Sequence, residues 1–137
     1  HLSTQGYSIY LSGSPADELR NEQLIAQSNL PLVNIAGKYD LFRLQKLIAH
    51  DIELAVCVNT GILHLAASQG VPVIGLHGPT NPNRWGPLGS KSISLLPTSG
   101  QSAYLHYGSE YPEDDQTAYS LDKLAVSQVI DAINHLQ

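Results

Sequence analysis

Apolar residues along this chain alternate between two periods, and the changes of period mark the elements. Residues 7–12 (YSIYLS) alternate as a strand does. Gly13-Ser14-Pro15 then predicts a turn into a helix reaching about Gln27, with Ser14 as N-cap and Pro15 at the first helical position. Leu32-Val33-Asn34 reads as a short strand, residues 35–39 as a loop, and Asp40 as the cap of a helix whose stripe is Leu41, Leu44, Leu47 and Ile48. Residues 54–58 (LAVCV) form the next strand. Asn59-Thr60-Gly61 turns into a helix of about eight residues that Gly70 closes. Residues 71–76 (VPVIGL) read as a buried strand, 77–89 as a long ordered loop, 92–96 as a last strand and 97–117 as a polar surface loop. Ser120 is expected to cap a final helix with the stripe Val126, Val129, Ile130, Ile133 and Leu136.

Strands alternating with helices predict an α/β fold with a parallel sheet. The runs LAVCV and VPVIGL suit central strands covered on both faces. The length of 137 residues fits one domain, and 42% hydrophobic against 14% charged residues supplies a core. A net charge of −5 disfavours nucleic acid as a partner. The single cysteine, Cys57, cannot form an internal disulfide, so a reducing, cytoplasmic setting is the simpler expectation, with Cys57 a buried inert thiol. No apolar run approaches the roughly 20 residues of a membrane span. The opening His1-Leu2-Ser3-Thr4-Gln5-Gly6 lacks the regions of a signal peptide and reads as a cut into a longer protein.

In open parallel sheets, ligands bind outside the carboxyl ends of the strands. Three strand-to-helix turns are therefore candidates: Gly13-Ser14-Pro15, Asn59-Thr60-Gly61 and His77-Gly78-Pro79-Thr80. At the second, Thr60 can cap the helix and Gly61 lets a ligand approach the backbone. The unpaired first amides and the helix dipole suit a diphosphate. His64, four residues after Thr60, can face the same helix end and donate to a phosphate or a sugar hydroxyl. The same residues also suit an ordinary capped helix with an incidental histidine. Glu18, in the first turn of its helix, can accept from both hydroxyls of a ribose, or be a solvated acid favoured by the dipole; Asp17 and Glu22 are near enough to be confused with it. Arg84 and Trp85 form a cation–π pair, a ligand platform or simple packing. Neither G-x-G-x-x-G nor a P-loop is present, no Ser sits in a G-x-S-x-G elbow, and the histidines form no metal-ligand cluster, so no metal is expected.

The stretch ELAVCVNTGILHLAASQGVPVIGLHGPTNPNRWGPLG, residues 53–89, resembles the family 9 glycosyltransferases, the heptosyltransferases. Their pattern is similar to an apolar strand, D-[ST]-G-x-x-H-x-A, G-x-P-x-x-x-L-x-G-x-T-x-P and a further Pro. Thr60, Gly61, His64, Ala66, Gly70, Pro72, Leu76, Gly78, Thr80, Pro82 and Pro87 match it. Upstream, LSGSPADE resembles the family's strand, G-x-P and acid, and NIAGKYDLFRLQKLIAH its N-L-x-G-K-x-x-L segment. The resemblance covers most of residues 7–89.

The resemblance implies a Rossmann-like parallel sheet flanked by helices, the C-terminal half of a GT-B glycosyltransferase, with residues 1–137 one nucleotide-sugar-binding domain. It implies that Thr60 and Gly61 cradle the donor diphosphate beside His64. Asn59 and Glu18 serve the sugar or nucleotide, Gly37 borders the base, and Gly78 and Thr80 lie on a loop near the site. The donor, an ADP-heptose-like nucleotide sugar, is a substrate; no cofactor and no metal is implied. The acceptor, a lipopolysaccharide core or related glycan or glycolipid, reaches the enzyme through an N-terminal domain that this chain lacks. That domain also carries the general base, so no catalytic residue is expected here and the chain alone should not transfer sugar. The full-length protein would be cytoplasmic or peripheral to the inner membrane. Two departures stand out: Asn59 occupies the place of an acid, and the chain starts after the family's phosphate-binding lysine. Asn59 keeps open a degenerate, non-catalytic nucleotide-sugar-binding module. A GT-B-like epimerase would need extra carboxylates.

Overall fold

The computed structural model describes residues 1–78, 80–97 and 121–137. They form two compact units, His1–Lys46 and Leu47–Gln137. In the first, a 3-10 turn over Leu2–Gln5 leads to β1 (Ile9–Leu11), a 3-10 turn at Pro15–Asp17, α1 (Glu18–Ser28) and β2 (Leu32–Asn34). Strands β1 and β2 pair in parallel with Ile9 opposite Leu32 and Leu11 opposite Asn34. Helix α2 (Leu41–Asp51) carries the chain from the first unit into the second. The second unit then runs β3 (Ala55–Val58), α3 (Gly61–Ser68), β4 (Val73–Leu76), α4 (Pro82–Trp85), β5 (Ser92–Leu95), a 3-10 turn at Leu121–Lys123 and α5 (Val126–Leu136). Its three strands pair in parallel in the order β3-β4-β5. All pairings are parallel, as alternating strands and helices predict, but the ladders form two sets, one inside each unit.

Local chemistry explains most boundaries. At the start of α1, the Asp17 carboxylate accepts from both the Ser14 amide (2.8 Å) and the Ser14 hydroxyl (2.7 Å), while Pro15 sits where no amide donor is needed. The helical run therefore opens as a 3-10 turn, and α1 proper begins at Glu18. Asn29 ends α1 in the left-handed region at φ 53°, which asparagine tolerates. Asp40 caps α2 through the Arg43 amide at 2.8 Å, as expected. Gly70 closes α3 at φ +76°, with its own amide on the Ala67 carbonyl and the Val71 amide on Ala66: a Schellman ending.

The core of the second unit centres on β4. Val73 and Ile74 are fully buried, together with Leu63 and Ala66 from α3, and Ala132 and Ile133 from α5. Both helices touch this strand, which is why VPVIGL reads as continuously apolar. LAVCV differs from the expectation: Val56 and Val58 stay 38% and 43% exposed, so β3 is covered on one face only. Leu41 and Val126 were expected in buried stripes and are instead 69% and 74% exposed. Each is the first residue of its helix, where the stripe runs out beyond its neighbours. The loop over 77–89 contains α4, capped by the Asn81 side chain on the Asn83 amide at 2.9 Å with Pro82 at its first position. The last helix begins at Val126 rather than at Ser120, because the turn at Leu121–Lys123 intervenes; Ser120 and residues 98–117 of the expected surface loop lie outside the described residues.

Candidate functional site

Asn59, Thr60 and His64 follow the carboxyl end of β3, and His77, Gly78 and Thr80 that of β4. Thr60 holds the N-cap position of α3 in extended backbone, as expected. Its side chain does not cap: the hydroxyl donates to the Val58 carbonyl at 3.3 Å instead of accepting from the helix amides. This frees the helix start for a ligand, because the amides of Gly61 and Ile62 have no partner within the helix. Gly61 is exposed, and a methyl there would meet nothing within 4 Å among the described residues. The helix mouth is thus open, with the positive end of the dipole directed outward.

His64 is exposed on the same helix, and its Nε2 lies 3.2 Å from Asn59 Oδ1. An amide oxygen only accepts, so Nε2 carries the proton in this bond and Nδ1 is left as the second hydrogen-bonding atom. Asn59 brings no charge to the ring.

His77, which sequence reasoning placed only as one member of a turn, proves to be a fully buried polar residue at this end of the sheet, with Asn81 buried further along the loop. It is 0% exposed. Its amide donates to the Leu95 carbonyl at 2.9 Å, prolonging the β4–β5 ladder by one residue, and its Nδ1 lies 3.1 Å from Thr80 Oγ1. Among the described residues, its Nε2 has no partner. Burial, with the charge of His64 acting in the same direction, holds the ring below the usual histidine range. Alternation from Val73 and Gly75 would have found this position: the apolar strand pattern continues into a histidine on the same face. Gly78 is buried, Thr80 is half-buried and Pro79 lies outside the described residues. Cys57 is half-buried, and burial pushes its thiol up to about 11, leaving it protonated and inert at neutral pH. The Arg84 guanidinium lies 5.3 Å from the Trp85 ring centre, so these two form the cation–π pair.

Glu18 and Gly37 belong to the first unit. Glu18 is exposed at the first position of α1, and the structure separates it from its neighbours. Asp17 is occupied by Ser14, whose hydroxyl and then backbone hydrogen bonds lower its pKa. The backbone of Glu18 is fixed by Asn34, a buried residue with no expected role. Its Nδ2 donates to the Glu18 carbonyl at 3.1 Å, while its Oδ1 accepts from the Ala36 amide (3.1 Å) and Asn21 Nδ2 (3.2 Å). Gly37 turns at φ +67°, with its amide on the Gly13 carbonyl at 3.1 Å; a Cβ there would lie 2.8 Å from Pro15 Cα. Among the described residues, no group of three or more His, Cys, Asp or Glu side chains is placed to hold a metal ion. Nor is any helix among them long and apolar enough to cross a membrane.

Comparison with known proteins gives this arrangement its context. The family model described as glycosyltransferase family 9 (heptosyltransferase) matches residues 1–113, beyond the segment where the resemblance is legible by motif. Lipooligosaccharide heptosyltransferase 2 of Haemophilus influenzae is 32% identical over 143 aligned positions, covering 98% of this chain and 39% of that protein. Two solved structures share the fold at 24% identity, each covered over 38% of its length by 98% of this chain. They are a family 9 glycosyltransferase from Veillonella parvula (TM-score 0.80) and the ADP-heptose LPS heptosyltransferase II of E. coli (TM-score 0.77). The chain thus spans about two fifths of the length of the relatives it matches. On a family match across most of its length and a shared Rossmann-like, GT-B-derived fold, the chain belongs to glycosyltransferase family 9, the heptosyltransferases.

Proposed function

We propose that this chain is the donor-binding part of a heptosyltransferase that moves heptose from ADP-heptose to a lipopolysaccharide core. The observation that carries the reading is the open start of α3, where Thr60 turns its hydroxyl away, Gly61 leaves space, and His64 stands beside Asn59. Backbone amides there suit the donor's diphosphate, and His64 adds a donor to a phosphate or sugar oxygen. Thr80 and Gly78 belong to the neighbouring strand end and serve the same ligand. Glu18 is proposed for the ribose hydroxyls and the Gly37 turn for the base, with the donor a substrate and no cofactor assigned. The comparison proteins, all heptosyltransferases or family 9 transferases, favour this over a module without chemistry; one of them is named for ADP-heptose.

The chemistry proposed for the whole protein is an attack by an acceptor hydroxyl on the anomeric carbon with departure of ADP. The acceptor side and its base belong to the rest of the protein, acting in the cytoplasm or at the inner membrane surface. What these residues contribute is position and charge: fixed amides stabilise the negative charge that grows on the leaving diphosphate. Calorimetry of the chain against ADP, UDP and GDP tests the reading. Binding of ADP that weakens about tenfold in His64→Ala supports it. A folded chain indifferent to all three nucleotides refutes it.

A further inference from the structure

The buried His77 is left unused by the reading above, and its surroundings give it a task. The parallel register places Cys57 opposite Gly75 and Val58 opposite Leu76, so Asn59 and His77 follow as neighbours at the strand ends. His77 Nε2 sits over Gly75, where a Cβ would be only 2.8 Å away; the same Cβ would meet Leu63 Cδ2 at 3.0 Å. Gly75 and Leu63 thus form the seat of the ring, and Leu63 is fully buried one residue before His64 on α3. The other ring nitrogen, Nδ1, reaches Thr80 Oγ1 at 3.1 Å. A buried imidazole nitrogen with no partner among the described residues costs stability, so the ring is not explained as simple core filling.

We propose that His77 is a positioning residue for the ligand site: seated on Gly75 and Leu63, it holds the Thr80 hydroxyl through Nδ1 and so aligns the loop after β4 with the open start of α3. The inference rests on the donor-site reading and deepens it. Burial and the neighbouring His64 of α3 hold the ring below the usual histidine range; β4 and β5 carry no ionisable side chain, β3 carries only Cys57 with its protonated thiol, and α5, packed on β4 and β5, carries Asp131 and His135. As a neutral ring beside a hydroxyl, it either donates to Thr80 or accepts from it, and either way fixes that rotor.

The two amide residues distinguish the ring atoms. Asparagine reproduces the position of Nδ1, and glutamine that of Nε2. Titrating the chain with ADP, His77→Gln and Thr80→Val should each weaken binding about 3–10-fold, the scale of one lost hydrogen bond, and together no more than either alone. His77→Asn should recover most of that loss. Imidazole nitrogen shifts in the wild type should show one fixed tautomer at His77 and a titration midpoint below that of an ordinary histidine. Equal binding by His77→Asn and His77→Gln, additive losses in the double variant, or an ordinary titration of His77 overturns the proposal. A folded wild type that ignores ADP overturns the donor-site reading, and this inference with it. ADP binding with no Asn/Gln difference overturns the inference alone.

Discussion

Four residues show how little chemistry separates a capped helix from an open one. Thr60 occupies a capping position, and threonine there ordinarily accepts from the helix. Here its hydroxyl is spent on Val58, and it gives the amides of the helix start no side-chain cap. Asn59 and His64 add a neutral hydrogen-bonded pair next to those amides. Removing the partner by Asn59→Ala frees the ring, and ADP affinity should fall about 3–5-fold by calorimetry, the scale of one neutral hydrogen bond. His77 bears on pH. Its folded-state pKa lies below the unfolded value of 6.5, so the unfolded chain takes up the proton first. Stability is therefore fully present above pH 6.5 and falls as pH drops through the window beneath it. Urea unfolding at pH 7.5 and 5.5 should show the decrease, and His77→Asn should lessen it. Asp17 gives the other acid-side effect: its lowered pKa means that the stabilisation from the cap on α1 is fully present above the unfolded value of 3.8 and is lost only as pH falls below it, through the lowered folded value. Residue identity predicted Asp40 as a cap and Gly70 as a helix stop because both act within a turn of their own backbone. It did not predict where the Thr60 hydroxyl points, since two acceptor arrangements compete within three residues.

At the scale of elements, β4 and its neighbours decide rigidity. Gly75 has no room for a side chain, as an added Cβ meets His77 and Leu63 at 2.8 and 3.0 Å. Gly75→Ala should cost about 1–3 kcal/mol, read from urea denaturation, as the cost of overpacking a tight seat. Gly37→Ala combines a left-handed φ of +67° with contact against Pro15, and should cost a similar 1–3 kcal/mol. Among the described residues, the sequence pattern located the strands and the first three long helices to within a few residues, because period and length survive without tertiary context, but it started the last helix at Ser120 rather than Val126. It overreached at Leu41 and Val126, because periodicity picks a face and says nothing of how far along that face the neighbours extend. It missed α4, whose four residues are too few to show a period, although Asn81-Pro82 carries the capping signal.

At the scale of the molecule, every strand pairing among the described residues is parallel, and the candidate site groups of the second unit lie at strand carboxyl ends. The slowest-exchanging amides of that unit should be those of Val73 and Ile74, fully buried in the middle strand, with α4 and the terminal turn of α5 far faster by hydrogen exchange. The motif-rich stretch over residues 53–89 made the family legible, since Gly, Pro and Thr at fixed offsets encode turns that tolerate few substitutes. The buried Asn34 and His77 were not legible in this way, as their partners come from other segments of the chain.

Asn34 also supplies a built-in reporter. One amide group grips the first carbonyl of α1 and the nitrogen of Ala36 at once. Anything that steadies the exposed carboxylate end of that helix is therefore felt, through a single side chain, at a backbone hydrogen that solvent scarcely reaches. Deuterium uptake at Ala36 should serve as a remote gauge of the occupancy proposed at Glu18, readable without altering either residue.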